Sequence, residues 1–196
     1  MLENQIVPDN KNPEKTLLNK GTKKIHWKMK DLIPSIIYWF LLITQLIMVF
    51  FYYNYYNIDF LAWFGWGVLL LFFLIGWLPK KEFIKEGQIE EGRSFVYTTK
   101  LVDTGIYAII RHPLWLTWIL LSLSLTLMSQ YWIMVFMGII VMLIVYLETF
   151  RLDNYLIEKF GMEYKQYKKN VPRLNIIYGL IKYLMRENKK RSENNE

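Results

Sequence analysis

Residues 114–146 read LWLTWILLSLSLTLMSQYWIMVFMGIIVMLIVY, 33 positions without a Lys, Arg, Asp or Glu. As one helix this run would measure roughly 50 Å at about 1.5 Å per residue, too long for a hydrocarbon core about 30 Å thick. Met128-Ser129-Gln130-Tyr131-Trp132 supplies a polar break near its middle, so the run is expected to fold as a hairpin of two helices over about 113–128 and 131–160. Upstream, 32–58 and 60–78 are also free of charge, which predicts helices over about 32–53 and 60–78 joined by the short loop Asn54–Asp59. Apolar runs of this length exclude an ordinary soluble domain. The expected fold class is an all-α integral membrane protein with four transmembrane helices, a long connecting loop and a C-terminal amphipathic helix.

The charges orient this arrangement. All 24 Lys and Arg lie within 1–31, 79–112 and 148–196, and none in the loop 54–59 or at the hairpin tip. The positive-inside rule therefore places those three segments, and both termini, in the cytoplasm. The net charge of +7 then reads as a basic face that touches anionic lipid. No aromatic and basic groove motif argues for nucleic acid. There is no cysteine, and the two histidines stand 86 positions apart, so neither a disulfide framework nor a metal site is expected. Residues 1–31 are polar and read as neither a secretory signal nor a span. Residues 32–188 read as one membrane domain, and the polar stretch 189–196 as a disordered tail. Tyr52, Tyr53, Tyr55, Tyr56, Tyr131 and Trp132 read as interfacial anchors, and Gly65 and Gly67 as points of close helix packing.

Two charged segments look chemical. The first is Lys100-Leu101-Val102-Asp103-Thr104-Gly105-Ile106-Tyr107-Ala108-Ile109-Ile110-Arg111-His112-Pro113. Gly105 permits a tight turn or a close approach, and Pro113 suits the first turn of the next helix. Arg111 and His112 then read either as part of a site or as cationic anchors at the interface. In the second, Glu148 to Gly161, helical spacing puts Glu148, Arg151, Tyr155 and Lys159 on one face. Asp153 shares the other with Thr149, Leu156 and Phe160, so its carboxylate faces inward and needs either a ligand or a salt bridge to a Lys or Arg. Gly161 suits a helix stop, and Ile176, Ile177, Leu180, Ile181 and Leu184 recur as an amphipathic surface helix.

Taken together, these segments resemble the integral-membrane methyltransferases of the isoprenylcysteine carboxyl methyltransferase family, relatives of the phospholipid N-methyltransferases. One motif is Leu101-Val102, Gly105, Tyr107 and Arg111-His112-Pro113; the other is Asp153, Leu156, Phe160-Gly161, Glu163-Tyr164, Tyr167 and Val171-Pro172-Arg173. The likeness covers about 99–175. It implies a cytoplasm-facing pocket for S-adenosylmethionine, an opening towards lipid, and a lipophilic or lipidated acceptor. By the same resemblance the cofactor is held by Lys100, Leu101 and Val102, by Tyr107, and by His112, Pro113 and Trp115. Asp153 completes that site. The chain departs from the pattern at Trp115 and Thr117, where Tyr and Gly are usual, and at Leu152 and Asn154, where an acidic pair is common. Glu148 stands where the isoprenylcysteine branch carries an acceptor-binding Arg. Arg111 or Arg151 would then replace it, or Glu148 itself would serve an amine acceptor by taking up a proton. Arg111 and Glu148 are thus the candidate catalytic residues. Two other readings stay open: an NADPH-dependent membrane reductase, because sterol reductases share a similar Arg-His-Pro pattern, and a non-enzymatic membrane scaffold.

Overall fold

The computed structural model describes residues 29–86 and 100–193. Among these, every regular element is helical: α1 (Met29–Phe51), α2 (Asp59–Glu86), a 3-10 turn (Gly105–Ala108), α3 (Pro113–Ser129), α4 (Trp132–Phe160), α5 (Met162–Asn170) and α6 (Ile176–Glu193). Three of them, α1, α2 and α4, are long and apolar enough to cross a membrane, which is compatible with a membrane protein. The fourth apolar helix, α3, has 17 residues.

Most large side chains of α1, α2 and α4 point away from the bundle, among them Phe40, Trp63, Phe73 and Phe136, each more than 60% exposed. The interior is narrower and carries more small and polar groups. Tyr38 and Leu42 of α1 meet Val141 and Val145 of α4, with Trp115 and Trp118 of α3 against them. Gln45 is fully buried beside them, yet each end of its amide is satisfied. Its Nε2 donates to Thr126 Oγ1 at 3.2 Å and to the Met134 carbonyl at 3.3 Å, while Ser122 donates to its Oε1 at 2.9 Å. A buried amide without such partners would cost about 1–3 kcal/mol.

Gly65 brings α2 close to α3. A Cβ there would stand 3.0 Å from the Met128 nitrogen and 3.1 Å from the Ser124 carbonyl oxygen, and Ser124 donates to the Gly65 carbonyl at 2.9 Å. A Cβ on Gly67, by contrast, would meet nothing within 4 Å, so only the first glycine is a packing position. At the hairpin tip Gln130 adopts φ 62° and its Nε2 bonds Asn54 Oδ1 and the Ile58 carbonyl at 2.8 and 2.9 Å, tying the two short loops together. Tyr52 stacks on Tyr131 at 4.3 Å in the same place.

Two boundaries differ from the sequence expectation. The second helix runs eight residues past Leu78, through the buried Pro79, because Glu82 packs against Gly105 and accepts from Thr104 Oγ1 at 3.3 Å. Lys189 to Glu193, expected as part of a disordered tail, continue α6, where Lys190 pairs with Glu187 at 3.1 Å and Lys189 with Glu193 at 3.7 Å. Residues 1–28 and 194–196 lie outside the described residues, as does 87–99 of the connecting loop.

Candidate functional site

The two sequence motifs meet through the backbone. After the 3-10 turn the chain passes beside the segment that follows α5, and the amides of Arg111 and His112 donate to the carbonyls of Pro172 and Arg173 at 3.0 and 3.2 Å. Tyr167 of α5 donates its hydroxyl to the Tyr107 carbonyl at 2.7 Å. Gly105 has φ +55°, so the turn needs a residue without a Cβ, and Glu82 fills the space a side chain would take. Gly161, with φ +61°, ends α4 and lets α5 fold back across it. On the far side, Gly179 of α6 lies so close to the Ile109 carbonyl that no side chain fits, and Arg186 donates to the Ala108 carbonyl at 2.7 Å.

Asp153 lies where these pieces converge and is 1% exposed. Its Oδ1 accepts from Arg111 Nη1 at 3.2 Å, from His112 Nε2 at 2.8 Å and from the Tyr164 hydroxyl at 2.6 Å. Its Oδ2 accepts from Arg111 Nη1 at 3.2 Å and Arg173 Nη2 at 2.9 Å, with Lys168 Nζ at 3.7 Å. Of the two readings the sequence left for this inward carboxylate, the geometry displays the ion pair. Three cations gather on one carboxylate. The Nε atoms of Arg111 and Arg173 have no hydrogen-bond partner; among the described residues they are the buried side-chain polar atoms in that state.

The surroundings fix the protonation states. Burial pushes the His112 imidazole below its ordinary range, opposed by the hydrogen bond to Asp153. The ring is therefore neutral near pH 7, and with Nε2–H donating to the carboxylate its lone pair sits on Nδ1. Burial also raises the phenols of Tyr107, Tyr164 and Tyr167, so these groups stay protonated and act as donors.

Beside this cluster is a cavity of about 50 Å³. Lys100, Leu101, Val102, Tyr107 and Arg111 of the first motif line it together with Leu156, Phe160, Tyr164 and Tyr167 of the second. An open groove of about 460 Å³ lies along α3 and α4, bordered by Arg173.

The sequence-derived candidates therefore divide. Lys100, Leu101, Val102, Tyr107 and Arg111 surround one cavity, and His112 and Asp153 adjoin it. Pro113 is buried at the first position of α3. Trp115 stands apart, its ring 6.1 Å from that of Tyr38, and lines neither space. Glu148, 8% exposed, is also outside both linings and receives Arg151 Nη1 at 2.6 Å. Tyr164, Lys168 and Arg173 were not among the candidates, although Tyr164 and Arg173 belong to the quoted motif. The spacing of Tyr164 and Tyr167 along one helix face was the available signal. For Arg173 the motif was the available signal, since helical spacing says nothing of a contact with Asp153 that spans the end of α4 and all of α5. No family model, curated protein or solved structure matches the chain.

Proposed function

We propose that the chain is an S-adenosylmethionine-dependent methyltransferase of the membrane, acting on a lipophilic acceptor. The observation that carries this reading is that residues of both motifs, 45 positions apart at their nearest cavity-lining members Arg111 and Leu156, close on one aromatic cavity next to a buried cation cluster. In this reading α3 is a fourth span, about 26 Å long at about 1.5 Å per residue. The basic segments and both termini face the cytoplasm by the positive-inside rule. Helix α6 lies on the membrane surface through Ile177, Ile181, Leu184 and Met185, which are exposed opposite its docked face.

The lining suits the cofactor in its chemistry. The rings of Tyr107, Phe160, Tyr164 and Tyr167 match a sulfonium cation. The unpartnered Arg111 Nε is a donor for a carboxylate. In size the cavity of about 50 Å³ has room for only about three or four waters, so side chains around it must part to admit a nucleoside. When bound, S-adenosylmethionine supplies an electrophilic methyl group. The chain contributes alignment and a dry wall: Leu101, Val102 and Leu156 exclude water, and Tyr167 holds the Tyr107 backbone. Asp153 acts as a positioning residue, because its two oxygens hold Arg111, His112, Tyr164 and Arg173 in place.

An amine acceptor is a second reading; it rests on the buried Glu148 carboxylate as the general base, which stands outside both linings and is paired with Arg151 at 2.6 Å. The test is a calorimetric titration of the protein in nanodiscs with S-adenosylhomocysteine and, separately, NADPH. Saturable binding of the first, weakened at least tenfold by Leu156→Trp, is the expected result. Absence of that binding overturns the reading, and binding of NADPH alone moves the protein to the reductases. With an acceptor in hand, Glu148→Gln should lower turnover only if the acceptor is an amine.

A further inference from the structure

The open groove outside the cavity is lined by Leu116 and Ile119 of α3, Tyr146 of α4, and Arg173, Leu174 and Asn175 of the segment before α6. Its volume, about 460 Å³, falls within the roughly 300–1,000 Å³ typical of ligand sites. Four of the lining side chains are hydrocarbon or aromatic, and a single guanidinium stands at the edge. Arg173 is fixed there: its Nη2 bonds Asp153 at 2.9 Å, its guanidinium carbon lies 3.4 Å above the Phe150 ring, and its Nε is buried without a partner. Nor is its charge neutralised. Arg111, Lys168 and Arg173 all pair with Asp153, the one carboxylate within ion-pair distance of them among the described residues. That leaves an excess of positive charge in a poorly hydrated place, where an anion is worth most.

We infer that this groove seats one anionic phospholipid, its chain along Leu116, Ile119 and Leu174 and its phosphate at Arg173. The inference uses the membrane placement proposed above but not the methyl-transfer chemistry. It is independent of the basic residues at the end of α6, which face solvent and attract any acidic surface.

The experiment uses the full chain in nanodiscs containing photoreactive phosphatidylglycerol or photoreactive phosphatidylcholine, with a diazirine in the same acyl position. Cross-links are located by mass spectrometry. At Leu116, Ile119 and Leu174 the anionic lipid should label about fivefold more than the zwitterionic one, the preference one Arg near a membrane surface provides. At Leu70 and Phe73, exposed on α2, the ratio should be near one. Arg173→Gln should bring the groove ratio to one and Arg173→Lys should keep most of it. Leu174→Trp, which leaves the guanidinium in place, should suppress labelling by filling the groove. Equal labelling by both lipids in the native chain, an unchanged ratio in Arg173→Gln, or displacement of the lipid by millimolar inorganic phosphate would each overturn the inference. Failure to bind S-adenosylhomocysteine would sink the methyltransferase reading and leave this result untouched.

Discussion

Asp153→Asn removes one charge and almost no volume, which makes it the sharpest probe of the cation cluster. In the native chain the carboxylate accepts from Arg111, His112, Tyr164 and Arg173 at 2.6–3.2 Å while 1% exposed. An asparagine keeps one acceptor oxygen. It also turns two N–H donors towards donors that held the other oxygen. Tyr164 and His112 can still be served by the remaining oxygen, but the guanidinium groups of Arg111 and Arg173 lose their only counter-charge among the described residues. Removing one partner of a buried ion pair costs about 3–5 kcal/mol. For a chain of this size each kcal/mol lowers the melting midpoint by about 2–4 °C, so a fall of roughly 6–20 °C is expected. Thermal unfolding in detergent at one fixed scan rate, followed by circular dichroism, measures it. The exposed Asp103→Asn serves as control and should stay within about 0.5 kcal/mol. A loss below about 1 kcal/mol in Asp153→Asn would refute the argument that the cations depend on this carboxylate.

Two further outcomes follow from single contacts. The His112 imidazole is depressed in the folded chain, so the unfolded chain binds its proton first as pH falls; stability should hold above about pH 6.5 and decline below it through the folded value. Melting midpoints between pH 7.5 and 5 test this, and His112→Asn should flatten the decline. Gly65→Ala should cost about 1–3 kcal/mol, because its Cβ would press on the backbone of Ser124 and Met128. Gly67→Ala, with open space around it, should be neutral or stabilise by about 0.5–1 kcal/mol, and equal effects of the two would contradict the packing described for α2 and α3.

Some of this was legible in the sequence because it depends only on order along the chain. A charge-free run of 33 residues with Ser129-Gln130 inside it specifies two helices and a tight connection, whatever they pack against. The inward turn of Asp153 follows from 100° per residue, and the turn at Gly105 from the absence of a Cβ. Other features needed partners that lie far away in the chain. That Gly65 packs and Gly67 does not depends on where Met128 comes to rest. That Trp115 packs on Tyr38 and Glu148 pairs with Arg151, both outside the cavity, depends on how the helices assemble, and Arg173 enters the cluster where two backbone hydrogen bonds join 111–112 to 172–173. Local periodicity determines which side of a helix a residue occupies. Only the closing of distant segments determines which charge it meets, since an ion pair depends on separation in space rather than along the chain.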